Sequence, residues 1–373
     1  MSQATTDTLC LFLSGDVMTG RGIDQVLPHP CAPVLHEPYV RDARDYVALA
    51  EEANGALSKP VAFSYIWGDA LEVLRAQAPD IRLINLETSV TTSANYWQGK
   101  GIHYRMHPAN IPCLSAAAID CCVLANNHVL DWGYQGLSET LSTLQCAGIK
   151  TTGAGLNARL AGAPAVMEIA AKGRLMVFSY GLGSSGIPLA WAAGNNRPGV
   201  NLLADLSPAS VRRIQQQVAA VKQAGDVVVA SIHWGGNWGY EIPAEHIDFA
   251  HALIDSAGVD ILHGHSSHHP LGVEIYQGKP VIYGCGDLLN DYEGIGGYQR
   301  YRGDLALLYF VRIAATGKAR AELTMVPVQI RNFRLNYASP DDSRWLRDML
   351  KRESRRFNVD IEWTQEGLLQ LRA

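Results

Sequence analysis

The chain has 373 residues, 47% of them hydrophobic and 18% charged, with 35 glycines, a profile that excludes a wholly disordered chain and fits one large α/β core or two modest ones. The formal net charge of -5, with no run of Lys or Arg, excludes the electrostatic footprint of a nucleic-acid or anionic-membrane binder. Any partner must therefore be recognised at a local site.

The opening MSQATTDTLCLFLSGDVM has no basic leader, and its apolar run LCLFL is too short for a signal core or a membrane span, so it reads as a first buried strand. No other apolar run reaches spanning length. The seven cysteines include no C-x-x-C and fit a reducing compartment, so the expected location is cytoplasmic, with Cys113, Cys121 and Cys122 packing as small apolar residues.

Residues 28–68 read as an insertion after the first strand that caps the site, with a helix-like stretch RDARDYVALAEEANGAL and with His29 and His36 as loop residues. Six further apolar runs follow in order: DIRLINLE, AIDCCVLANNH, RLMVFSYG, DVVVASIHW, VDILHGH and KPVIYGCGD. Each ends in a polar or glycine-rich loop, as strands buried on both faces do when their C-terminal ends build a site. Helices are predicted between them at LSETLSTLQCAG, closed by Gly148, and at SPASVRRIQQQVAAVKQAG, with Ser207 as cap, Pro208 in the first turn and Gly225 as stop. The alternation predicts an α/β domain with helices layered on sheet. From residue 304 the chain reads as two strands, DLALLYFVRIA and RAELTMVPVQIRNFRL, joined by a turn at Gly317, and then an amphipathic helix DDSRWLRDMLKRESRRF. The expected organisation is a domain over residues 1–335 with a helical extension, 336–373, packed on it.

The chemistry gathers at the strand ends. The first strand runs into GDVMTGRG, where Asp16 and close-approach glycines suit a hard cation or a phosphate, and Arg21 is a candidate substrate contact; the alternative is that Asp16 caps a helix. Glu87, in NLETS, falls at the same sheet edge, and two neighbouring carboxylates repel unless a cation lies between them. LANNHVLDWG adds Asn126, Asn127, His128 and Asp131, with Asp131 either functional or a helix cap. His233 closes one strand and His265 another; His268 follows as a third candidate, while His263 and His269 read as bystanders and His246 and His251 as helix residues. Trp234, Asn237, Trp238 and Tyr240 either line a substrate groove or pack beneath the insertion. Asp287 and Asp291 either join the rim or serve turns.

Taken together, GDVMTGRG, NLE, LANNHVLDWGYQGLSETLSTLQCAGIKTTGAG, HWG, GHSSHHP and GKPVIYGCGD resemble the CapA family of poly-γ-glutamate capsule-synthesis proteins, a branch of the calcineurin-like metallophosphatase superfamily. The resemblance spans about residues 9–312. It implies a four-layered α/β/β/α sandwich with one or two divalent ions (Mn, Zn, Fe or Ca) held by Asp16, Glu87, Asn127, His233, His265 and His268. One departure stands out: Met18 occupies the place of the superfamily's first-motif histidine. The implied activity is hydrolysis of a peptide or polyglutamate-like chain, with His128 as general acid or orienting group. Two alternatives remain open: a peptide epimerase using His128 or His268 and Asp287 as bases, and a non-catalytic scaffold that holds a polymer or a partner.

Overall fold

The computed structural model of the chain describes residues 8–314 and 320–372, so the turn expected at Gly317 lies outside them. The first strand, Thr8–Val17, is buried from its second residue onward. Its side chains alternate between two cores, Leu9, Leu11 and Leu13 on one face and Cys10 and Phe12 on the other. It pairs in parallel with Ile81–Leu86, and the sheet continues in parallel through Cys121–Val123 to Lys150–Thr152. On its other side it pairs antiparallel with Leu305–Ala314, and Glu322–Arg331 follows. A second sheet orders Leu202–Leu203, Gly173–Leu182, Val227–His233, Ile261–His265, Lys279–Ile282 and Val273–Tyr276.

The same alternation stacks the layers. Val227 and Val229 meet Leu9, Leu11 and Leu13 in the core between the sheets. Val228, Ala230 and Ile232 pack instead beneath the helices Pro208–Ala219 and Ala244–Ser256. Helices Ala70–Gln77 and Gly133–Cys146 cover the outer face of the first sheet. The result is the expected helix, sheet, sheet, helix order. Phe12 is fully buried, its ring 5.6 Å from that of Phe310. Phe12→Ala is expected to cost about 3–5 kcal/mol in denaturant unfolding, through the cavity it leaves.

Several sequence expectations change in detail. KPVIYGCGD is two strands: Lys279–Ile282 stays in the second sheet, whereas Asp287–Leu289 crosses over to pair with the first strand. RAELTMVPVQIRNFRL breaks into a hairpin, Glu322–Arg331 and Arg334–Tyr337, because Asn332 and Phe333 both adopt positive φ. The helix at Pro208 ends at Ala219, before Gly225. Ser207 makes no side-chain cap; Asp205 Oδ1 instead accepts from Ser207 N–H at 3.0 Å and from the Ser210 hydroxyl at 2.9 Å. The last helix, Pro340–Ser354, buries Leu346, Met349 and Leu350 in the inter-sheet core. The chain after it is not helical throughout: Asp360–Trp363 and Leu369–Arg372 extend the first sheet. Cys113, Cys121 and Cys122 are buried and unpaired. Among the described residues no helix is long and apolar enough to cross a membrane.

Candidate functional site

Two glycines let the strands approach closely enough to assemble the site. A Cβ at Gly15 would lie 1.6 Å from the Gly286 carbonyl oxygen, so only glycine allows the first strand to meet the chain before Asp287. The Asp16 N–H then donates to Gly286 O at 3.0 Å, and Asp16 falls in register with Asp287. At Gly264 a Cβ would lie 2.3 Å from Tyr283 O, which holds the His263 and His265 strand tight against its neighbour. Parallel pairing sets His233 beside His265.

The strand ends thus converge from both sheets. Asp16, His233 and His265 form one group whose ligand atoms all lie within 4.8 Å of one another, and Asp16, His268 and Asp287 form a second. His233 Nδ1 faces His265 Nδ1 at 2.7 Å, with Asp16 Oδ1 3.9 Å from the latter. Asn127 Oδ1 is 3.0 Å from His233 Nε2. His268 Nδ1 is 2.8 Å from Asp287 Oδ1. Glu87 stands beside Asp16, joined to it through Asn85, whose amide donates to Asp16 Oδ1 at 2.7 Å and to Glu87 Oε2 at 3.4 Å.

Electrostatics make this cluster a poor home for its own charges. Burial, with repulsion from Asp287, pushes the Asp16 carboxyl up to about 7. Burial and Asp16 push Glu87 up as well. Burial holds His233 and His265 well below the usual imidazole range. At His268 burial acts in the same direction, but the Asp287 carboxylate outweighs it and the net shift is upward.

These residues fit a divalent cation. Asp16 Oδ2 is buried without a hydrogen-bond partner, and it sits among carboxylate oxygens and the rings of His233 and His265, which burial keeps neutral, the ligand types a borderline ion takes. Met18 contributes nothing of that kind; its sulfur receives the Tyr292 hydroxyl at 3.6 Å. The second donor group is supplied by His268 and Asp287. Asp287 thus falls in a ligand position as readily as in the base position expected from sequence.

His128 stands beside this cluster. Its Nδ1 lies 2.6 Å from Asp131 Oδ2, so the proton on that nitrogen is donated to the carboxylate, and Nε2 is 3.7 Å from Glu87 Oε1. Burial, offset in part by Asp131, pushes the ring down to about 4. Asp131 is no helix cap: besides His128 it takes the Tyr104 N–H at 2.7 Å and an ion pair from Lys100. Lys100 also lies 2.9 Å from His128 Nδ1. Neither Lys100 nor Asn85 stands out in the sequence. Lys100 sits in a loop with no motif around it, whereas Asn85 could have been found from its i, i+2 spacing to Glu87 at the strand end.

A pocket of about 560 Å³ opens beside His268, lined by Asn237, Trp238, Asn290 and Tyr292 among others. Trp238 stacks on Tyr298 at 4.1 Å and so forms an aromatic wall. Two expected groove residues do not line it. Trp234 is core, its ring stacked on His246 at 4.3 Å and its indole N–H donated to Tyr283 O, because the strand periodicity turns it under the helix Ala244–Ser256. Tyr240 packs against His269 and Tyr301, whose rings fill the space between it and Trp238. Arg21 does line the pocket, but its guanidinium is committed to Asp291, to Glu37 and to the Tyr46 hydroxyl. Glu37 and Tyr46 belong to the 28–68 segment, so Arg21 and Asp291 tie that segment to the rim.

A family model described as "Bacterial capsule synthesis protein PGA_cap" matches residues 10–292. The chain is 46% identical over 366 residues to a probable polyglutamine synthesis accessory protein of Mycobacterium tuberculosis, covering 98% of this chain and 96% of that one. It is 28% identical over 327 residues to the PGA biosynthesis protein CapA of Bacillus subtilis, covering 86% of this chain and 72% of that one. The capsule biosynthesis protein CapA of Bacillus anthracis is 26% identical over 234 residues, covering 62% of this chain and 53% of that one. The order of motifs, the four layers and the match over most of the length agree, and the chain belongs to the bacterial capsule synthesis protein family.

Proposed function

We propose that the protein is a divalent-cation-dependent hydrolase acting on a peptide or poly-γ-glutamate-type chain. The observation that carries this reading is the convergence of Asp16, Glu87, Asn127, His233, His265, His268 and Asp287 where strand ends of the two sheets meet, with an unpartnered buried carboxylate oxygen among them. A divalent ion held there would polarise a carbonyl oxygen and acidify a water. The chain's own residues supply the rest. His128, held by Asp131 as the Nδ1–H form, presents an Nε2 lone pair that takes a proton from the attacking water and passes it to the leaving nitrogen. Trp238 and Tyr298 form a wall for the bound chain, and His268 links that pocket to the donor cluster. The names of the relatives, which refer to polyglutamine synthesis and PGA biosynthesis, support an amide-linked substrate. His128→Ala is expected to lower kcat by about 10²–10⁴-fold while the circular dichroism spectrum stays that of the parent.

One observation favours a second reading, peptide epimerisation. Two carboxylate-backed imidazoles, His128 with Asp131 beside the cluster and His268 with Asp287 within it, come from different loops, as two bases for a Cα would. Incubation of a γ-glutamyl peptide with the Mn²⁺-loaded protein, in H₂¹⁸O and separately in D₂O, separates the readings by mass spectrometry. Hydrolysis predicts one ¹⁸O in the new carboxyl and no deuterium at Cα. Deuterium uptake without cleavage would replace the hydrolase by the epimerase, and neither label with any divalent ion would leave a scaffold.

A further inference from the structure

His263 belongs to neither donor group, yet its ring is fully buried directly behind them. We propose that His263 and Ser231 form a proton-ordered relay that fixes His265 as the Nε2–H tautomer and turns its Nδ1 lone pair toward Asp16 and His233. The purpose of the relay rests on the cation-site reading; its geometry does not.

The order of protons follows from one atom that can only accept. His263 Nε2 lies 2.7 Å from the Ser14 carbonyl oxygen, so that nitrogen must carry a proton; the other tautomer would set a lone pair against a carbonyl. A buried ring with no carboxylate in hydrogen-bond reach stays neutral, which leaves His263 Nδ1 as an acceptor. Ser231 Oγ lies 3.1 Å from that Nδ1 and donates its only proton there. The same oxygen, 2.8 Å from His265 Nε2, can then only accept, so His265 carries its proton on Nε2. His265 Nδ1 is left with a lone pair, which without a cation accepts from the Nδ1–H of His233 at 2.7 Å, with Asp16 Oδ1 3.9 Å away. Parallel register holds the three partners together, since Ser231 pairs with His263 and His233 with His265 on neighbouring strands. His263 and Ser231 are therefore positioning residues. Outer partners that set a ligand's tautomer are worth about 10–100-fold in metal affinity.

The test starts with the cation-free wild-type protein labelled with ¹⁵N-histidine. A long-range ¹H–¹⁵N spectrum, with His265 assigned by the peak lost in His265→Gln, is expected to show a protonated Nε2 and an unprotonated Nδ1. A proton on His265 Nδ1 would overturn the relay. Ser231→Ala is then expected to release the tautomer and to weaken Mn²⁺ binding, read by calorimetry, about 10–100-fold, with Ser231→Thr restoring both. An unchanged His265 spectrum in Ser231→Ala would also overturn it. Because the tautomer is read without a cation, its presence alongside no Mn²⁺ binding would support the relay and reject the cation site.

Discussion

Asp16→Asn is expected to abolish cation-dependent hydrolysis and to weaken divalent-ion binding by more than the roughly 10–100-fold that the loss of an outer partner costs. Asp16 is the residue common to both donor groups, and of their members it is the one with a buried oxygen lacking any partner. The substitution keeps size and shape but removes the charge. Stability without a cation should move the other way. The Asp16 carboxyl is raised to about 7 in the folded protein, chiefly by burial, so its contribution is intact below the unfolded carboxylate range, near 4, and is lost as pH rises through about 7. Measured against Asp16→Asn, in which the buried histidines contribute alike, the cation-free wild type should therefore lose stability between pH 4 and pH 8. Asp16→Asn should lose less and be the more stable of the two at pH 8. Added Mn²⁺ should reverse that ranking, because it stabilises only the protein that binds it. Denaturant midpoints at the two pH values, with and without Mn²⁺, measure all of this; a variant that is less stable than wild type without the ion would contradict the electrostatic account.

Arg21→Ala is expected to destabilise the fold by about 3–5 kcal/mol, because it strands Asp291 and Glu37 as buried, uncompensated charges. The guanidinium also lies 4.0 Å from the Tyr46 ring and 4.4 Å from that of Tyr104, contacts that are lost with it. The double variant Arg21→Ala with Asp291→Asn should recover part of the loss, since one stranded charge is removed. Urea unfolding of the single and double variants measures the difference. A loss below about 1 kcal/mol in the single variant would mean that the 28–68 segment is not held through this ion pair.

The strands that build the site were legible because each is buried on both faces and ends abruptly in polar residues, as Val227–His233 and Ile261–His265 do. Parallel pairing brings Asp16 and Glu87 to the strand ends of the first sheet and His233 and His265 to those of the second, and the packing of the two sheets joins the pairs. What the sequence hid was contact set by tertiary approach. Asp287 reaches Asp16 only because Gly15 and Gly286 permit a crossing strand between the sheets, and a run such as KPVIYGCGD carries no mark of where it changes sheet. Trp234 and Trp238 lie four residues apart in one aromatic loop, and only packing decides that the first is core and the second is pocket wall. Arg21 looked available to a substrate because nothing local shows that Glu37 and Asp291 have already claimed it. His263 read as a bystander for a related reason: its partners, Ser14 and Ser231, are ordinary residues until the strands are placed side by side.

The central claim is that this cluster of carboxylates and imidazoles holds a divalent cation. Calorimetric titration of the chelator-stripped wild-type protein with Mn²⁺ and with Zn²⁺ tests it most directly. The account predicts saturable binding of one or two ions per chain, reduced or lost in Asp16→Asn. No heat of binding at millimolar concentrations of either ion, or identical titrations for the wild type and Asp16→Asn, would contradict it.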